Sequence, residues 1–491
     1  MPDDVDYTTD MVINTKLIDF GKITVSPFEF DSITELKIEK ALNEHTTLYV
    51  CGVSKSDKKF TPVTGKTNNL QIICKNGDQL YFSGVLQNIK VSCKADLYYL
   101  EIFAISSTKL LDVVKHKRSF QDNGQNYRLI VETVINGKNG DVTYNAVEKT
   151  VENIILQYDE TDWEFCKRLA SHTNDVLIPI MKNNPAFHFG VPTNGSAKLE
   201  SRGYAVSKDI DSVRRMGTED NPLPIIDAIM YTVETDALIC ELGEIIKFNC
   251  LDLSDDKKET ELNMHVYHIS ISFIDSVLTV IYTLCADKGI SAPKAYNRAI
   301  TGLTLDGTVI EVENDNVKLH LDIDDKQDKG KAHLFAYATG YSAEDHTGWY
   351  VMPEEGDVVQ LLFPVEDEKY AFATSSIRQK DTDRTSDPLV KYWRTSFGKE
   401  IKMDKKEILI TAEDDGTFIR VNTESGIEII TPKPINIDSE DDIIIRCKKD
   451  MSIKAESNFD MKAKTIGIKG GGGVITMDGN ITLGGGVVKE N

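Results

Sequence analysis

Residues 419–466 read IRVNTESG, IEIITPKP, INIDSEDD, IIIRCKKD, MSIKAESN, FDMKAKTI, a run of six units of eight. The first and third places of the units are Ile419 and Val421, Ile427 and Ile429, Ile435 and Ile437, Ile443 and Ile445, Met451 and Ile453, Phe459 and Met461; all twelve are apolar. Most other places are polar, with Ile430, Ile444 and Ile466 as exceptions. Two apolar residues two apart line one face of a short strand. A period of eight matches neither a heptad nor a helical spacing, so a coiled coil is excluded.

A unit this short cannot bury its own face, and stacking of short repeats into a continuous core is the known remedy. Covering the twelve side chains would yield on the order of 20–30 kcal/mol per chain as an upper bound. The repeat therefore demands partners, and three intertwined chains is the expected geometry. The alternative, a single-chain solenoid, usually needs ~20 or more residues per coil. The glycines at 470–473 and 484–486 precede no Gly-Lys-Ser/Thr, so they predict narrowing and tight turns rather than a phosphate loop.

Upstream, β-rich runs at 23–25, 70–73, 80–82 and 97–102, separated by turn signals such as Asn76-Gly77-Asp78, predict an antiparallel barrel over 1–115. Residues 116–225 change character. Leu129, Ile130, Val134 and Ile135 have helical spacing, as do Phe165, Leu169 and His172 in a segment that Thr161 and Glu164 would open as a capping box. The strand pattern returns over 226–298 as a second barrel. Within it, ISISFIDSVLTVIYTL at 269–284 is too short to span a bilayer as a helix and alternates about Asp275-Ser276, which predicts a hairpin. Residues 299–380 read as a small five-stranded barrel with a polar loop at 322–330, residues 381–418 as a neck, and 419–491 as the repeat and its tip.

The chain of 491 residues has a formal charge of −22, with 41% hydrophobic and 27% charged residues. That balance predicts a folded chain and argues against nucleic acid or an anionic membrane as partner. Its acidic start has no apolar run and reads as no secretory signal. Eight scattered cysteines without a Cys-x-x-Cys pair fit reduced thiols and folding in the cytoplasm.

Two further stretches carry a resemblance. LQYDETDWEFCKRLA at 156–170 is similar to a hub-domain stretch of the VgrG family of contractile injection systems and of related phage tail-hub and needle proteins, matching at Tyr158, Glu160, Asp162, Trp163, Phe165, Arg168 and Leu169. GWYVMPEEGDVV at 348–359 resembles the family's strand-turn in an oligonucleotide-binding-type (OB) barrel, through Pro353, Glu354, Gly356 and Asp357. The octads resemble its triple-stranded β-helix, and the match spans roughly 12–491 in the family's domain order. The third octad place departs from it, being apolar where the family often has glycine.

The resemblance implies a mainly β chain: two hub barrels with an α/β insertion, the OB-type barrel and an intertwined C-terminal β-helix. It implies a homotrimer that docks on a hexameric tube protein and baseplate or adaptor subunits, accepts a small conical PAAR-like cap protein at its tip, and meets a target envelope only transiently. The function it implies is the spike and hub of a contractile machine, assembled in the cytoplasm and acting in an injected, secreted or released particle. A spike carrying a cell-wall hydrolase is the alternative, and a receptor-binding fibre is disfavoured because too few residues follow the repeat to build a globular tip.

No catalytic, cofactor or metal residues are assigned. Glu160 and Asp162 beside Trp163 superficially suggest a glycosidase pair, but in this context they are expected to cap a helix or bond across a subunit. Cys166 and His172 would lie about 240° apart around a helix and form no dyad. His265 and His268, three apart on a strand, are expected on opposite faces. No histidine follows His346, so a His-x-His metal site in the tail is absent.

Overall fold

The structure, a computed structural model, describes residues 22–54, 70–95, 97–193, 195–198, 203–208, 229–235, 238–252, 255–274, 277–342, 347–378, 383–413, 416–468 and 470–471. The sequence features at 1–21, at the central pair of the 275–276 turn and at the tip beyond 471 lie outside these residues. The chain divides into two compact units, 1–380 and 381–491. It is mainly β. Among the described residues no helix is long and apolar enough to cross a membrane.

The two β-rich halves of the first unit share one twelve-stranded sheet. Its order runs Ile23–Ser26, Gln71–Asn76, Gln79–Lys94, Leu97–Ser106, Thr47–Ser54, Phe30–Ala41, then across to Asp255–Ile274, Val277–Cys285, Ile229–Thr235 and Gly203–Lys208. Strand Ile245–Asp252 pairs with Asp255–Ile274, and Ser196–Lys198 pairs with Ile245–Asp252. The seam between the halves is an antiparallel ladder from His268↔Ala41 to Ile274↔Glu35. Alternation puts Leu36, Ile38, Ile269, Ile271 and Phe273 on its inner side, in one core drawn from both halves. The 269–284 segment is a hairpin, with Ile274 paired to Val277.

Lys40 lies on the seam strand and is buried to 1% exposure, with its ammonium held by both carboxylate oxygens of Glu241 at 2.9 and 2.6 Å. The pair ties a loop of the second half to a strand of the first. At Gly84 and Gly52 neighbouring strands leave no room for a side chain: a Cβ on Gly84 would sit 2.1 Å from the carbonyl oxygen of Ile105.

Between the halves lie helix α1 (Tyr127–Asn136), capped by the Asn126 side chain, helix α2 (Asp162–Ser171), and a three-stranded sheet of Leu177–Pro179, Ala186–Phe189 and Asp141–Tyr144. Their apolar faces meet in a second core around Trp163, Phe165, Leu169, Phe187 and Ile130. The 303–377 region is a five-stranded sheet: Leu334–Ala336, Asn316–Leu321, Leu303–Glu313, Val358–Phe363, Phe372–Ile377. Tyr337 bridges Ala373 in parallel and Ala338 N–H bonds the Ala373 carbonyl at 2.8 Å, which closes the sheet on itself.

In the second unit, strands Lys391–Arg394, Glu400–Met403, Glu407–Glu413, Thr417–Asn422 and Gly426–Ile430 form an antiparallel meander. The boundary read from sequence at 418/419 falls inside its fourth strand, so the stretch read as a neck supplies three strands of the same sheet that holds the first two octads. The octad signal marks where apolar alternation becomes regular; hydrogen-bond pairing begins 28 residues earlier, at Lys391. Beyond Ile430 the described residues form neither strand nor helix.

Replacing Glu241 with Ala should leave the Lys40 ammonium unpaired and lower the stability measured by urea unfolding by about 1–3 kcal/mol, because Glu241 itself is half-exposed. Adding Lys40→Met should recover most of the loss. Equal destabilisation by the single and double variants would show that the pair is not what holds the seam.

Candidate functional site: a junction in the hub and an uncovered apolar face

The hub stretch sits where three parts of the first unit meet. Thr161 is the N-cap of α2: its hydroxyl accepts from Glu164 N–H at 3.1 Å, and the Glu164 carboxylate accepts from Thr161 N–H at 2.9 Å. The predicted capping box is therefore formed, by Thr161 and Glu164 rather than by Glu160 or Asp162.

Those two carboxylates have other partners, both within the chain. Glu160 receives a forked bond from Arg168 Nε and Nη2, each 2.8 Å. Asp162 receives the Arg118 guanidinium and, at 3.3 Å, the Gln157 amide. A bulge at Asp159, whose φ is +53°, pairs Tyr158 with Lys117 and Glu160 with His116. Simple alternation would put Tyr158 and Glu160 on one face; the extra residue separates them. Both carboxylates are thus engaged by arginine side chains of the same chain.

Arg168 is 4% exposed. Besides Glu160 it binds Glu368 through Nη1 at 3.0 Å and the Leu156 carbonyl through Nη2 at 2.7 Å. Its guanidinium carbon lies 5.2 Å from the ring centre of Phe165, which stacks on Phe120. Glu368 belongs to the small barrel, whose core also takes in Ile154 and Leu156. Asn297 Nδ2 donates to the Tyr158 carbonyl at 2.8 Å, Asp324 accepts from Ser119 N–H at 2.8 Å, and Gln121 donates to the Leu319 carbonyl at 3.2 Å. Through these contacts the hub motif fastens the small barrel to the helical insertion.

Trp163, 2% exposed, faces the other way. It packs on His45 with ring centres 4.7 Å apart and meets Phe187 edge-on at 5.7 Å. His45 bonds Thr108 at 2.8 Å and Asp112 at 3.3 Å, and Asp112 also receives Lys109 and Thr161. Burial works against the Asp112 charge, yet these donors outweigh it and hold the carboxyl below its usual range. Burial pushes His45 down to about 4 and His172 down to about 3, the latter between Tyr127 Oη and the Ala295 carbonyl. Cys166 is fully buried, which pushes its thiol far up, so it offers no thiolate.

In the small barrel, Glu354 and Asp357 close a turn on each other through Glu354 N–H to Asp357 Oδ2, 2.9 Å, and Asp357 N–H to Glu354 O, 3.0 Å. Gly356, at φ +94°, donates to Val309 O, while Val309 N–H donates to Asp357 O. Pro353 is buried beneath the turn. The four residues form the turn that leads into strand Val358–Phe363.

His265 and His268 depart from the expectation of opposite faces. The bulge between Val266 and His268 skips Tyr267, which turns both outward while Val266 and Ile269 both point in. They still do not converge: His265 engages Gly243 O and Asp287, and His268 engages Glu39. Among the described residues no cluster of three or more metal-ligating side chains occurs.

The second unit presents a different kind of site. Cross-strand partners share a face, and the register aligns Trp393, Ile401, Ile410, Ile419 and Ile429 in one row and Met403, Ile408, Val421 and Ile427 in the next. All nine are exposed, from 37% at Ile401 to 71% at Ile427. The opposite face is laced by ion pairs, Arg420 with Glu407 and Glu428 at 3.1 and 2.7 Å, and Arg394 with Glu400 at 3.1 Å. Downstream, Ile435, Ile437, Ile443, Ile445, Met451, Ile453, Phe459 and Met461 are each more than half exposed. Sequence reading located the octad residues; it missed Trp393, Ile401, Met403, Ile408 and Ile410, of which the period-two pairs 401/403 and 408/410 were a usable signal.

Two predictions follow from the hub contacts. Arg168→Ala should cost about 3–5 kcal/mol in chemical unfolding, because Glu160 and Glu368 lose a buried counter-charge, and Arg168→Lys should not restore it, since an ammonium cannot fork. With folded pKa values below the unfolded 6.5, His45 and His172 stay neutral where the unfolded chain takes up protons. Their stabilisation is fully present above about pH 6.5 and is lost as pH falls toward 4. Between pH 6 and 5 the slope of stability against pH should fall in His172→Gln; an unchanged slope would contradict the assignment.

No protein family description matches the sequence, and no curated protein matches it. Solved structures do match. An E. coli component of the type VI secretion system, described as structurally similar to the phage T4 tail proteins gp27 and gp5, aligns over 73% of this chain and 100% of its own at a TM-score of 0.53 and 13% identity. VgrG complexed with PdpA, in its lidless form, aligns over 81% of this chain and 93% of its own at 0.52 and 8%. The half-lidded Francisella complex aligns over 83% and 87% at 0.51 and 8%. At these identities the likeness is one of fold, and this chain has the fold of VgrG-type spike and tail-hub proteins.

Proposed function

We propose that this chain is the structural hub and spike of a contractile injection machine, of the type VI or phage tail-like kind, and that it performs no bond chemistry. The observation that carries this reading is the uncovered apolar face of the C-terminal sheet, continued by eight exposed octad residues. An exposed surface of that kind marks an interaction site. Its eight-residue recurrence suits identical partners, and three copies winding together would bury each row against the others. The residues from 391 to 466 then form a stiff needle. The first unit caps the tube, meeting a hexameric tube protein and baseplate or adaptor subunits.

Sheath contraction would supply the work of puncture, so the spike needs only stiffness. The charge-laced opposite face keeps such a needle soluble. A small cap protein would cover the strand edges left at the tip. The carboxylates that a hydrolase reading would use, Glu160 and Asp162, are both engaged by arginines.

Light scattering of the full chain at micromolar concentration should give the mass of three copies. Ile443→Asp would place three charges near the axis, at several kcal/mol per chain, and should lower the melting temperature of the trimer sharply, whereas Lys448→Asp at an outward place should do little. A stable monomer, or equal effects of the two substitutions, would overturn the reading.

A further inference from the structure

The small barrel exposes three large rings. Tyr341 is 58% exposed, Trp349 72% and Tyr350 69%. They line a groove of about 630 Å3 together with Asp315, Thr339 and Met352. Neither the Trp349 nor the Tyr341 ring packs on another ring among the described residues, and both side chains are more than half exposed.

The rings are held in place. Trp349 N–H donates to Tyr341 O at 2.9 Å and Thr339 Oγ1 donates to Trp349 O at 2.7 Å, while Ser342 and Gly348 form an antiparallel bridge. Tyr350 Oη donates to Asn314 O at 3.1 Å, and Tyr337 N–H donates to Asp315 O at 2.9 Å, which joins the hairpin to the turn between the first two strands of the barrel. Gly348 has φ +140°, and a Cβ there would lie 2.5 Å from Tyr341 O, so the turn that presents Trp349 requires glycine. Backbone bonds thus hold large apolar rings at the surface instead of folding them inward.

Exposed aromatic rings beside hydroxyl and carboxylate groups suit a ligand with apolar and hydroxylated surfaces at once. A pyranose ring has that character: its axial C–H groups stack on a ring face, and its hydroxyls reach polar neighbours. The volume lies in the range of small-ligand sites. Five-stranded barrels of this kind bind oligonucleotides or oligosaccharides. Among the described residues the groove lining includes a carboxylate and no lysine or arginine, and the chain carries a charge of −22, which disfavours nucleic acid and acidic glycans.

We propose that the groove beside Trp349 is a binding site for a neutral oligosaccharide, with Trp349 and Tyr341 as stacking platforms and Asp315 and Thr339 as hydroxyl partners. The site rests on the barrel alone and stands or falls independently of the spike reading.

The test uses the full chain with chitohexaose and cellohexaose, followed by calorimetry and by the emission of the three tryptophans, of which Trp163 is buried. Binding of at least one of the two is expected, with a blue shift that disappears in Trp349→Ala. Affinity should fall at least tenfold in Trp349→Ala and in Tyr341→Ala, and both exposed-site variants should melt as the parent does. Binding of neither sugar overturns the proposal, as does binding that both variants leave unchanged. Loss of a mass step in light scattering with Trp349→Ala, without sugar binding, would instead make the groove a contact between chains. Tighter binding of polyuridylate than of either sugar would make it a nucleic-acid site.

Discussion

The Arg168 guanidinium is the interaction on which the first unit depends. One planar group bonds the strand before its own helix, a carboxylate of that strand and a carboxylate of the small barrel, and it lies over Phe165. Burying such a charge is costly, and the cost is offset only because nearly every donor of the fork has an acceptor. Remove that match and two carboxylates are stranded in a desolvated junction. The same helix turns Trp163 toward His45 in the twelve-stranded sheet. A ten-residue helix thereby connects the sheet, the insertion and the barrel.

The second unit runs on the opposite principle. Its sheet satisfies its polar face with ion pairs and leaves its apolar face open. Surface ion pairs contribute little to stability, and a meander with one bare apolar side is not a complete core. The described residues of the first unit bury their cores within the chain, whereas on the proposed reading the second is completed by partners. On the proposed reading this is an efficient arrangement, since the part that must be stiff gains its core by assembly.

Bulges decide what the site residues do. At Asp159 the extra residue parts Tyr158 from Glu160 and leaves Glu160 with Arg168. At Tyr267 another turns His265 and His268 to the same side, where separate acids engage them. In both strands the spacing of residues gives the wrong facing, because alternation fails wherever one strand holds a residue its partner does not match.

Local signals determined a great deal. The octad period, the hairpin at 269–284, the Thr161–Glu164 box and the glycine turn at Gly356 are all short-range patterns, set by side-chain alternation, capping and φ, and they are legible in the sequence. The motif at 156–170 could be located but its roles could not. Glu368 lies two hundred residues beyond Arg168, and no local rule pairs them. Tertiary structure alone decided that the two β-rich halves share one sheet across the seam of Ala41 and His268, since strand pairing between distant segments depends on burial of both at once. It also decided that the apolar face begins at Trp393: rows of cross-strand neighbours exist only once the register is set, and register belongs to the sheet rather than to any one strand.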